Sequence, residues 1–116
     1  MNRQVITFKV GETQALTRTS PLQTFAIETV NYIEAHFELP DSWKTFSDLY
    51  AVWYNGKAKE GSLINTDGVT VIPSVMLKTP GTLEVNLCGN EFKDGKLIGR
   101  WTSYVEKALM LKHTEV

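Results

Sequence analysis

Three side chains able to hold a proton or a metal ion stand two residues apart: Glu34, His36 and Glu38. In an extended chain that spacing places all three on one face of a strand. Two carboxylates flanking an imidazole could bind a divalent cation. The same alternation also describes a solvated sheet face, and that plainer reading carries more weight. His113, near the other end of the chain, has no neighbouring ligands at a spacing that would complete a site. Asp41 and Asp48 could form an acid–base pair, yet any chain with 13 acidic residues supplies such pairs by chance. The sequence contains no Gly-x-Ser-x-Gly elbow, no phosphate-binding glycine loop and no His-Glu-x-x-His. Neither a catalytic site nor a metal or cofactor is therefore expected. Cys88, the single cysteine, follows Val85-Asn86-Leu87 and reads as a small buried residue. No basic neighbour marks it as a reactive thiol.

The aromatic residues are the other chemical resource: three Trp, four Tyr and five Phe. Exposed on a sheet, Trp and Tyr can form a flat platform for sugar rings. Buried, they are simply core. Trp53 lies inside the apolar run Leu49–Tyr54 and reads as core. Trp101, between Arg100 and Thr102 in a strand-like segment, also leans to core. Trp43 follows the turn Pro40-Asp41-Ser42 and is evenly balanced between capping the core and standing exposed. The candidate binding residues are thus Trp43, Trp101 and Tyr104.

The elements that must position these groups follow a period of two. Asn55-Gly56, Asp67-Gly68, Pro80-Gly81 and Gly89-Asn90 punctuate the chain at intervals of about a dozen residues, the rhythm of short antiparallel strands. Asn-Gly and Asp-Gly tolerate the positive φ that tight hairpins need. Val5–Val10 reads as a first strand and Thr13–Thr19 as its partner. Ser20-Pro21 could open a helix, but Phe25, Ile27, Thr29, Val30, Tyr32 and Ile33 favour extended chain. From Asn31 to Leu39, Ile33, Ala35, Phe37 and Leu39 point inward, with Tyr32, Glu34, His36 and Glu38 outward. Trp43–Tyr54 is expected as one long central strand, and Lys57–Gly61 as exposed polar chain. Leu63-Ile64 and Val69–Ile72 read as a hairpin across Asp67-Gly68, and Ser74–Leu77 as a crossing turn that plugs one end. Thr82–Cys88 and Leu97–Thr102 are joined across Asp94-Gly95. Residues 103–113 are contested: Ser103-x-x-Glu106 resembles a capping box and Glu106–Lys112 has helix propensity, while Val105, Leu109 and Leu111 share strand parity. The fold class expected is all-β, with room for one short helix: an antiparallel immunoglobulin-like or related sandwich of about seven to nine strands.

Composition narrows the field. With 116 residues, 42% hydrophobic and 22% charged, the chain has the makeup of one ordinary globular domain spanning 1–116. The net charge of −1, with Lys and Arg scattered, argues against a nucleic-acid footprint and against a polybasic membrane patch. The N-terminus lacks the apolar stretch of a signal peptide, and no apolar run is long enough to cross a bilayer.

Several short passages together form a pattern: Phe37–Trp43, Leu49–Trp53, Val71-Ile72-Pro73, Leu83–Asn90 and Trp101–Ser103. This pattern is similar to small β-sandwich domains in structural proteins of tailed phages, namely the N-terminal domains of upper baseplate proteins and the shoulder domains of siphophage receptor-binding proteins. The resemblance covers residues 30–105 and implies strand, not helix, for 103–113. It implies a non-enzymatic structural or accessory protein that docks on other phage structural proteins in or near the tail, in the virion or in the host cytoplasm before assembly. It carries no catalytic residues. Because the chain ends soon after the sandwich, a direct receptor-binding role is not expected of it, and self-association is left open. The alternative is a carbohydrate-binding module that takes host cell-wall polysaccharide on exposed aromatics.

Overall fold

Alternating side chains do bury this chain in two facing layers. A computed structural model describes residues 4–28, 30 and 32–113. Ten strands are found among them: β1 (Gln4–Val10), β2 (Leu16–Arg18), β3 (Thr24–Ala26), β4 (Ile33–Glu38), β5 (Asp48–Asn55), β6 (Ala58–Leu63), β7 (Val69–Val71), β8 (Gly81–Lys93), β9 (Lys96–Thr102) and β10 (Glu106–Lys112). One sheet runs β2-β1-β4-β7. The other runs β3-β10-β8-β5-β6, with β9 paired to the far part of β8. Most neighbours are antiparallel, but β1–β4 and β3–β10 pair in parallel. No helix among the described residues is long and apolar enough to cross a membrane.

The core forms where the two sheets meet. Ile6 and Phe8 of β1, Ile33, Ala35 and Phe37 of β4, Ala51 and Trp53 of β5, and Leu83, Val85 and Leu87 of β8 are all buried. They recur at every second position, as strands with one face inward require. Phe8 and Phe37 sit opposite one another in register and stack with centroids 4.8 Å apart. The Trp53 indole N–H donates to Ser62 Oγ at 2.9 Å, which satisfies the one polar atom this ring brings into the core.

Two turns form as their residue types dictate. β5 turns into β6 across Gly56, and Asp94 and Gly95 adopt φ of 53° and 78° between Lys93 and Lys96. Positive φ at both central residues is the signature of a two-residue hairpin turn.

Several expectations are corrected. Leu63-Ile64 and Val69–Ile72 are not a hairpin: β6 ends the larger sheet and β7 pairs with β4 in the smaller one. Asp67-Gly68 therefore carries the chain from one sheet to the other, held by Asn65 Oδ1, which accepts from the Asp67 and Val69 amides at 2.9 Å each. Trp43–Tyr54 is not one strand, because Asp41–Trp43 forms a 3-10 turn and the strand begins at Asp48. Gly89-Asn90 is no turn: β8 runs straight through it to Lys93. Gly89 is needed for packing, since a Cβ there would sit 2.6 Å from the Phe46 ring. Lys57–Gly61 is exposed, as expected, but most of it belongs to β6.

Both contested segments contribute a strand and no helix, although the first is extended only over Thr24–Ala26 and turns at Ile27-Glu28, where the Val30 amide donates to Ala26 O at 3.0 Å. Ser20 accepts the Thr7 amide on its hydroxyl at 3.1 Å and caps no helix, while Thr24–Ala26 pairs with β10. In β10 a shift of register between Lys107 and Leu109 lets the adjacent Ala108 and Leu109 both turn inward. Ser74–Leu77 is a 3-10 turn whose Met76 and Leu77 are buried.

Candidate docking surfaces

Beyond Asn90, β8 has no partner in β5, and β9 pairs with β8 alone. Residues 91–98 are all exposed. A strand of 13 residues extends ~43 Å, and the molecule measures 55 Å along its long axis against 25 Å across. The hairpin thus projects as a two-stranded arm. It carries Phe92, Leu97 and Ile98 into solvent, with Phe92 opposite Leu97. A free two-stranded ribbon is marginal by itself, and clustered exposed apolar residues mark interaction sites.

Trp101 and Tyr104 lie at the root of this arm. Contrary to its reading as core, Trp101 is 41% exposed, and Tyr104 is 69% exposed. The tryptophan faces Gly89 in register, and its indole N–H donates to the Thr13 carbonyl at 3.0 Å. The Tyr104 amide donates to the Gln14 carbonyl at 2.8 Å, so loop 11–15 and the β9–β10 connection hold one another. Trp43, by contrast, is only 1% exposed. Its indole N–H donates to Gly11 O at 3.1 Å and Thr13 O at 3.0 Å. The two tryptophans converge on one carbonyl from inside and outside, which no local motif announces. Trp43 cannot belong to an exposed aromatic platform.

A second surface is the outward face of β5 and β8. Tyr54 Oη donates to Asn86 Oδ1 at 2.8 Å, Asn90 Nδ2 to Tyr50 Oη at 3.0 Å, and Arg100 Nε to Asn90 Oδ1 at 3.0 Å. Tyr50, Tyr54, Asn86 and Arg100 line an open groove of about 490 Å3 together with Cys88, which is buried as its sequence context suggests. The Tyr54 hydroxyl is pushed above its ordinary 10.0, first by burial and second by the charge that Cys88 would carry as a thiolate. These groups largely satisfy one another, so the groove is a rigid polar face.

A third lies beside the root of the arm. Leu39, Phe46 and Leu49 floor a cleft of about 350 Å3 whose rim includes Ser47 and Thr66. Ser47 ties the cleft to β8 through its amide, which donates to Asn90 O at 2.9 Å.

The acid–histidine stripe is arranged for structure. Glu34 is buried, not outward and wet as its alternation suggested, because Val5 and Val71 flank it in register. It accepts from Tyr32 Oη at 3.0 Å and is hydrogen-bonded to His36 Nε2 at 2.9 Å. Glu38 stands apart on exposed chain, and no group of three His, Cys, Asp or Glu side chains gathers around one point among the described residues.

No protein-family model and no curated protein matches the chain. Among solved structures it is similar to the N-terminal domain of phage TP901-1 ORF48, with a TM-score of 0.58 and 13% identity over 97% of this chain and 99% of that one. At that identity the likeness establishes a shared fold, end to end.

Proposed function

We propose that this protein is a non-enzymatic structural or accessory component of a phage virion, a β-sandwich that docks on other structural proteins at or near the tail baseplate. The observation that carries the reading is the match of nearly the whole chain to the N-terminal domain of a phage protein, ORF48 of TP901-1. A fold does not determine function, but two features support this one. Apolar side chains that a solitary domain would bury are held in solvent on the β8–β9 arm. Tyr54 and Asn86 of the open groove are hydrogen-bonded to one another, and Tyr50 and Arg100 to Asn90. In this reading Trp101 and Tyr104 are contact residues at the root of the arm, and Trp43 is their support from within. The protein resides in the virion, or in the host cytoplasm before assembly, and takes neither nucleic acid nor membrane as partner. The glycan alternative asks for Trp43 or Trp101 in solvent beside a tyrosine; Trp43 is buried, which leaves it Trp101 and Tyr104 alone.

Quantitative mass spectrometry of purified virions tests the proposal, with pull-downs against the tail proteins of the same phage. Peptides from this chain are expected at a fixed ratio to other tail components. Their absence from virions, together with no captured tail protein, removes the reading.

A further inference from the structure

Strand register fixes which side chains face the open groove on β5 and β8. Gly61, Val52 and Asn86 lie in one row across β6, β5 and β8 and form its floor. Tyr50 and Tyr54 flank that floor, two residues to either side of Val52. Each tyrosine leans across to β8, where Asn90 and Asn86 hold its hydroxyl at 3.0 and 2.8 Å. Asn90 is only 6% exposed. A buried amide costs free energy unless both of its ends are bonded. Here both ends serve the groove: Nδ2 donates to Tyr50 Oη and Oδ1 accepts from Arg100 Nε, each at 3.0 Å. One buried side chain thus sets a hydroxyl and a guanidinium beside each other.

The hydrogen-bonding capacity left over at this point is of one kind. Tyr50 accepts from Asn90 and keeps its own proton to donate. Arg100 gives only Nε to Asn90, so both of its terminal NH2 groups remain. At the opposite end, Lys59 Nζ lies 5.9 Å from the centre of the Tyr54 ring. Neither cation has an ion-pair partner among the described residues. The carboxylates nearby are turned away or spaced off. Glu60 pairs in register with the core residue Trp53, and Glu91 with Gly99, so both alternate to the other face of the sheet. Glu84 faces Lys107 of β10 in register. Asp48 is separated from Arg100 by Asn90, two strand spacings or about 10 Å across. A guanidinium with its terminal groups unused, oriented from behind and set beside a hydroxyl donor, is an arrangement that receives an oxyanion.

We propose that the groove binds a carboxylate or phosphate group at Arg100 and Tyr50, with the body of the ligand lying over Val52 toward Lys59. Asn90 is a positioning residue that holds both donors. The site stands apart from the virion reading, which its failure would leave untouched.

Titration of the full chain with benzoate, phenyl phosphate and benzyl alcohol tests the site. Proton–nitrogen correlation spectra report on the Arg100 Nε–H and the Asn90 side-chain amide, and ligand runs to ~20 mM, above the Kd of a millimolar contact. Both anions should shift these two signals to saturation, and the tighter of the two names the preferred oxyanion. Benzyl alcohol, which offers the same ring without the charge, should leave them in place. Arg100→Gln should weaken binding by about tenfold or more, and Arg100→Lys nearly as much, because lysine keeps the charge and loses the fork. Lys107→Gln removes the same charge outside the groove and should change binding by less than about twofold. Arg100 is exposed and its side chain makes one bond, so its variants should melt close to the parent chain. The site is overturned if neither anion gives a saturable shift, if benzyl alcohol binds as well as the anions, or if Lys107→Gln costs as much as Arg100→Gln.

Discussion

Trp43→Phe puts the inside of the molecule to a quantitative test. Phenylalanine keeps a six-membered ring beside Phe46, whose centroid lies 5.6 Å from that of Trp43. It removes the indole N–H and the atoms around it. The N–H serves Gly11 O and Thr13 O, and its loss costs roughly 0.5–1.5 kcal/mol, with water able to reach part of the site. The missing ring atoms leave a void on the order of 40 Å3, which at ~24 cal/mol per Å3 adds about 1 kcal/mol. A total of ~2 kcal/mol should lower the melting temperature by ~8 °C in a domain of this size. Urea titration followed by near-ultraviolet dichroism measures it, with an unchanged m-value expected. The local signature is faster hydrogen exchange at the Gly11 amide, which donates to Ala15 O at 2.8 Å within the same loop. Trp101→Phe removes an exposed bond to the same Thr13 carbonyl and should cost less. Because the two donors share one acceptor, the double variant should depart from additivity by ~0.5 kcal/mol or more. A loss below ~0.5 kcal/mol for Trp43→Phe, outside the range of a lost bond plus a void, would refute the assignment of this ring to the core.

Three further outcomes follow from the same geometry. Gly68→Ala should destabilise by ~2–4 kcal/mol, because a side chain at positive φ is strained and the added carbon would be driven into the Phe37 backbone carbonyl; chemical denaturation with no measurable loss would contradict the turn. Acrylamide should quench one tryptophan readily and two poorly, and Trp101→Phe should abolish the accessible fraction, since Trp43 and Trp53 are buried while Trp101 is not. Absorbance titration at alkaline pH should show Tyr54 ionising above 10.0, a late step missing in Tyr54→Phe. The folded state holds that proton more tightly than the unfolded chain. Its contribution to stability is therefore fully present below pH 10.0 and lost as pH rises through the folded value.

The sequence by itself determined the fold class and most of the strands. Two-residue alternation in Ile33–Phe37 and Leu83–Leu87 can be buried only by a sheet, and Asp94-Gly95 and Asn55-Gly56 admit the backbone angles that hairpins require. Those signals are local, and the structure agrees with them. Only the tertiary structure decided which sheet each strand joins. Asp67-Gly68 looks like a hairpin turn from its residues, yet it links two layers, because strand pairing depends on contacts far apart in the chain. Gly89 marks a turn by residue type but is required by the Phe46 ring pressed against it. Helix propensity in 106–112 yields to the burial of Ala108, Leu109 and Leu111 in the sheet. The tryptophans show the same division. That they matter is evident from their size; which one is core and which is exposed depends on a loop 30 and 88 residues away that receives both indole protons at Thr13. Exposure is a property of what else arrives at a position, and residue type alone does not encode it.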